Sequence, residues 1–161
     1  QIVRCEFAVY PSGGKYTCQP KAWMDEMNMH LWIDLVLKPY SNAKDEQDPF
    51  GLPLVLILDA YRVHQMGLVI IRIQAMGIEV IHIPAGCTYL CQPVDVGINK
   101  PIKTRLTRLW EDWMTDGAGI CNGIAKELNR KQVVEWLLEA YTTMPAEMVR
   151  NAQKKEGYKW V

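Results

Sequence analysis

The stretch LPLVLILDAYRVHQMGLVIIRIQAMGIEVIHIPAG, residues 52–86, decides the fold class. Leu52 to Leu58 is a short apolar run with proline only near its start, the pattern of a central strand buried on both faces. Arg62 to Met76 reads as a helix with Val63, Met66, Ile70 and Ile73 turned inward. Gly77 fits the left-handed position after a helix end, and Ile78 to Ile83 is a second strand closed by Pro84. Strands this close in sequence, joined by a helix, pair in parallel through a crossover. The class is therefore α/β.

Outward from this unit the pattern is mixed. Ile2 to Tyr10 alternates loosely enough to form a strand, PSGG at Pro11–Gly14 is a turn, and Lys15 to Gln19 is a candidate short strand. Trp23 to Lys38 has helical spacing, with Asp25 and Glu26 in its first turn and Pro39 as its stop. Ser41 to Pro49 reads as a loop, as does AGCTYLCQP at residues 85–93. From Val94 a long helix runs to about Trp113, with Ile98, Ile102, Leu106, Leu109 and Trp113 on one face. DGAG at Asp116–Gly119 is a linker. Asn129 is placed to cap a helix over Lys131–Tyr141, with Gln132 at the capping-box position, and a short helix follows at Pro145–Ala152. Residues 1–115 thus form a core, with a helical extension over 116–161.

Composition narrows the class further. The chain has 161 residues, 49% of them hydrophobic and 22% charged, as in an ordinary globular domain with a real core. Its formal net charge is +0, so no overall basic field points to nucleic acid, although a local basic face is compatible with that balance. Cys5, Cys18, Cys87, Cys91 and Cys121 contain no CxxC pair; Cys87 and Cys91 with His82 could be ligands, but reduced thiols of an intracellular protein are the simpler reading. No apolar run is long enough to span a bilayer, and the N-terminus lacks a signal-peptide layout.

Asp59 ends the first strand, at the place where open parallel sheets gather ligands. Adjacent parallel strands bring their carboxyl ends together, so Asp59 and Asp95, beyond the second strand, can converge. Two convergent carboxylates can share a proton or hold a hard divalent cation through oxygen. Taken singly, Asp59 is equally readable as a strand-to-helix cap and Asp95 as an acid complementing a helix dipole.

The wording of these segments goes further. LILDAYRVH, followed by IEVIHIPAGCTYLCQPVDVGINKPIK, resembles the DDE superfamily of transposase-derived endonucleases, most closely the pogo/Tigger/jerky type that includes centromere protein B. Those proteins carry a strand ending in Asp with His a few residues on, then a strand, a proline-containing loop and a QPxD element leading into a Lys-bearing helix. Here QPxD is Gln92-Pro93-Val94-Asp95, and the helix lysines are Lys100 and Lys103. KAWMDEMNMHLWID and RKQVVEWLLEAYTTMPAEMVRNAQKKEGY resemble the family's flanking segments. The resemblance implies a ribonuclease H-like mixed sheet flanked by helices. It implies catalytic, metal-binding roles for Asp59 and Asp95 with Mg2+ or Mn2+, phosphodiester cleavage and strand transfer, DNA as partner, and a nuclear location. The family's first acid lies on an earlier strand. Residues 1–20 hold only Glu6 as an acid, outside the first-acid motif. An N-terminally truncated core, inactive alone, is expected, with the missing segment or a protein partner completing it.

Supporting residues have two readings each. His64 lies close enough to Asp59 to orient it rather than bind metal, or is a structural hydrogen-bonder. Lys103 falls about two helical turns beyond Asp95 on the same face. With Lys100, Arg105 and Arg108 it makes this helix basic, either for DNA phosphates or as a solvated face. Thr88 and Gln92 position a phosphate or cap a loop. Trp32, Trp110 and Trp136 read as core residues. The alternative to a nuclease core is a domesticated or degenerate transposase segment serving as a non-catalytic DNA- or protein-binding module. A small-molecule-binding α/β domain ranks behind both.

Overall fold

A computed structural model describes residues 5–116, 119–121, 123–125 and 127–155. The chain forms two compact units. One is Lys15–Gln92; the other joins the residues up to Gly14 to those from Pro93 onward.

The first unit is built around two parallel strands, β1 (Val55–Leu58) and β2 (Glu79–His82), paired from Val55↔Glu79 to Leu58↔His82. The ladder continues beyond them, with Glu79 N–H donating to Leu54 O at 2.9 Å and Ile83 N–H to Leu58 O at 2.8 Å. This is the α/β pairing expected from residues 52–86. The crossover differs in detail. It is a 3-10 turn, Arg62–Gln65, then an extended Met66 and a helix, α3 (Gly67–Gln74). Val63 and Ile73 face inward as expected, joined by Val69. Gly77 has φ +73°, the left-handed stop.

Two shorter helices precede β1: α1 (Glu26–Trp32) and α2 (Lys38–Gln47), linked by a π-helical turn at Ile33–Leu37. The helix therefore does not stop at Pro39, and residues 41–47 are helical rather than loop. The π turn lets Lys38 N–H reach Ile33 O, five residues back. The widened turn lies immediately before Pro39, whose ring would otherwise crowd a carbonyl four residues earlier. Asp25 caps α1, its Oδ1 accepting from Asn28 N–H at 2.8 Å. Met29, Ile33, Leu37, Leu58, Val63, Val69, Ile73 and Ile78 form the core of this unit. Val69 and Ile73 are fully enclosed, each stabilising by roughly 1.5–3 kcal/mol. Strand β1 is not buried on both faces. Val55 and Ile81 are 45% and 44% exposed on the side of the sheet away from Leu58, because alternate residues face opposite sides.

The second unit begins with a 3-10 turn at Phe7–Val9 in place of the expected strand; residues 2–4 of that strand lie outside the described residues. Local bonds explain the turn: Tyr10 N–H returns to Phe7 O, and the Tyr10 hydroxyl donates to Glu6 at 3.0 Å. Lys15–Gln19, in the first unit, is likewise not a strand. A single helical turn, α4 (Thr88–Cys91), occupies the expected loop there. In the second unit a π-helical turn, Val94–Ile98, leads into α5 (Asn99–Thr115). A small hairpin of β3 (Ile120–Cys121) and β4 (Ile124–Ala125) follows, then α6 (Arg130–Thr142) and α7 (Ala146–Lys155). Two residues of the expected 116–119 linker, 117 and 118, lie outside the described residues. Asn129 caps α6 as its sequence suggests, accepting from Gln132 N–H at 2.8 Å. Among the described residues of this unit Ile102, Trp136, Ala140 and Ala152 are buried apolar ones, and Trp113 meets Trp136 edge-on at 6.3 Å. Trp110 is not a core residue; it is 48% exposed.

Candidate active site

Asp59 follows directly on β1, so the sheet holds its backbone while its side chain stands at the strand tip. Its Oδ1 accepts from Tyr61 N–H at 3.1 Å and lies 2.6 Å from His64 Nδ1. A carboxylate only accepts, so the bond places the imidazole proton on Nδ1. His64 is held in turn: His82 Nε2 donates to the His64 carbonyl at 3.0 Å. His82 closes β2 opposite Leu58, so both strand ends contribute to one polar cluster. Asp59 and His64 side chains are 33% and 21% exposed, leaving the acid open to solvent on one side. The other carboxylate oxygen, Oδ2, accepts no hydrogen bond from the described residues.

Asp95 belongs to the second unit, in the π turn before α5. Such turns occur often at functional sites. Its Oδ1 accepts from Asn99 Nδ2 at 2.6 Å, one turn on. Helix α7 packs against this turn so closely that a methyl on Gly97 would collide with Ala152 Cβ and sit 3.0 Å from its Cα. Asp95, Asn99, Lys100, Lys103, Thr104, Thr107, Arg108 and Glu111 line one open groove along α5. Lys100, Lys103 and Arg108 are thus on the acid's own face, as the helical spacing implies. Arg105 turns elsewhere and pairs with Glu139 of α6.

Asn99 is the residue that sequence reading missed at Asp95; the four-residue spacing was its signal. Tyr61 was likewise unassigned, although an aspartate two residues before it is a turn-forming pattern. Gln92 Oε1 is buried without a hydrogen-bond partner among the described residues. Among the described residues no three His, Cys, Asp or Glu side chains cluster to hold a metal ion. Each acid by itself is a hard oxygen donor.

Glu6 is engaged in a structural tie. Its Oε1 accepts from Arg130 at 2.7 Å, and that bond, ahead of the Tyr10 bond, pulls its pKa below the ordinary 4.5. Arg130 is correspondingly raised, first by its hydrogen bond to Glu6. A depressed carboxylate pKa adds stability that is fully present above the unfolded value and lost as pH falls through the folded one. Thermal melting of Glu6→Gln should therefore lie below wild type at neutral pH, with the gap closing only below about pH 4.5. A gap independent of pH would show that the charge does not matter.

The family model described as "DDE superfamily endonuclease" matches residues 6–152. This chain belongs to the DDE superfamily endonucleases. Among curated relatives of this DDE chain, the human "Pogo transposable element with KRAB domain" is 27% identical over 148 residues, 91% of this chain and 24% of the relative. The mouse protein of the same description is 26% identical over 148 residues, with the same coverage. The chain thus spans about a quarter of the length of these relatives. No solved structure matches it. Among the described residues no helix is long and apolar enough to cross a membrane.

Proposed function

We propose that this DDE chain carries two acids of a metal-dependent phosphodiester-processing centre, acting on DNA in the nucleus through a ribonuclease H-like core. The observation that carries the reading is the strand-tip Asp59, held by a backbone N–H and an oriented histidine, inside a family match that spans residues 6–152. Asp59 and Asp95 would hold Mg2+ or Mn2+, which supplies charge neutralisation at a phosphate and an activated water. His64 keeps the Asp59 carboxylate in one orientation, and Asn99 does the same for Asp95. Tyr61 N–H fixes the Asp59 rotamer, so that carboxylate would meet an ion with little reorganisation. Lys100, Lys103 and Arg108 track a phosphate backbone along the α5 groove, on the face that Asp95 shares. Arg105 supports the α5–α6 packing instead. Residues 1–115 form the core in this reading, and 116–161 extend it.

DNA binding and cleavage test this directly. Duplex binding measured across a salt series should weaken in Lys103→Ala, with the log–log salt slope smaller by about one. Mn2+-dependent nicking of supercoiled plasmid is expected once the acid set is complete. Binding that ignores salt and Lys103 would defeat the DNA reading. Salt-dependent binding with no cleavage under any metal would favour a domesticated, non-catalytic DNA-binding module, the reading that Glu6's structural role also suits.

A further inference from the structure

Trp23 is 68% exposed, yet the loop that carries it is tightly specified. Gln19 Oε1 accepts from Lys21 N–H at 2.5 Å and from Trp23 N–H at 3.3 Å. Ala22, just before the tryptophan, sits at φ +55°, a left-handed conformation that costs an alanine energy. Strain of this kind persists where surrounding bonds enforce it, and it gathers at ligand sites. Here it holds a large apolar ring in water.

The ring leads to Asp59. Trp23 lies over Tyr61 with centroids 6.3 Å apart and planes 26° apart. Tyr61 is pinned at both ends. Its hydroxyl donates to Met24 O at 2.9 Å, and its N–H donates to Asp59. Tyr61 in turn meets the His64 ring edge-on at 5.6 Å. Trp23, Tyr61, His64 and Asp59 form one connected row, all within the first unit.

Two exposed cations beside these rings could meet the phosphates of a chain that carries flat bases. Lys21 and Arg62 line the same open groove as Trp23 and Tyr61, and both are exposed. Two acids line it as well: Asp25, whose Oδ1 caps α1, and Glu26, which lies 3.8 Å from His30. We propose that Trp23 and Tyr61 are a stacking platform for an unpaired nucleobase of the DNA strand, next to the phosphate handled at Asp59. The proposal rests on the DNA-processing reading above and narrows its substrate to a frayed end or an extruded base. Duplex bases already stack on one another, so a free aromatic face selects an unpaired one.

The test uses the 161-residue chain and a single-stranded oligodeoxynucleotide of about twelve nucleotides bearing 2-aminopurine, whose fluorescence falls on stacking. The matched duplex and a ribonucleotide strand of the same sequence are run beside it. Trp23→Ala should weaken single-strand binding about tenfold and restore the fluorescence, while duplex binding stays within twofold or so. Trp23→Phe should keep most of both signals, since a smaller ring still stacks. The exposed position leaves the melting temperature unchanged as a control. Unaltered quenching and affinity in Trp23→Ala, with Lys103→Ala still weakening binding, would overturn the platform and leave the DNA reading standing. Trp23-dependent quenching seen only with the ribonucleotide strand would overturn the assignment to DNA. No binding of any strand by wild type would overturn both.

Discussion

Titration calorimetry should show Mn2+ binding by the wild-type chain and none in Asp59→Asn. Asparagine keeps the size and one oxygen but removes the charge that offsets dehydration of a hard cation. Loss of a group that merely orients a ligand costs about 10- to 100-fold in metal affinity, so loss of the ligand itself should exceed that. His64→Ala, which frees the carboxylate Oδ1 of its 2.6 Å partner, should fall in the smaller range, about tenfold. Asp95→Asn is measured in the same way, as a separate test of that acid. Equal binding in wild type and Asp59→Asn would remove this residue from the metal site, whatever the family model implies.

The second large effect is on stability. Ile73 is fully enclosed in the core beneath the sheet, with Val69 beside it. Ile73→Ala removes three buried carbons and leaves a void that close-packed neighbours fill only in part, at a cost of about 2–5 kcal/mol. Urea unfolding should show a lower midpoint with an unchanged slope. Ile71 is the built-in comparison: it is two residues away on the same helix but 64% exposed, so Ile71→Ala should stay within about 0.5 kcal/mol. Equal losses at the two positions would mean that the burial pattern of α3 is wrong.

The parallel pair was legible because its information is local. An apolar run, a helical spacing and a glycine in sequence order suffice for β1, α3 and β2. Asn129 was legible for the same reason, since a cap is satisfied within one turn. Elements whose shape depends on other parts of the chain were not. Pro39 reads as a stop under i to i−4 bonding, and only the π turn before it lets the helix continue. Phe7–Val9 has the composition of a strand, but described residues offer it local partners instead of a neighbouring strand. At the site, sequence pointed to Asp59, His64 and the basic face of α5. The commitment of Arg105 to Glu139 depends on packing between helices, which spacing alone does not specify.

The fit between Gly97 and Ala152 places a limit on size that two distant positions share. A methyl group added at Gly97 would run into the Cβ and Cα of Ala152, so α7 or the Asp95 turn must shift. The orientation of that acid is therefore set partly by a helix that carries none of its chemistry. A side chain at position 97 would therefore disturb the Asp95 turn from behind, without entering the groove along α5.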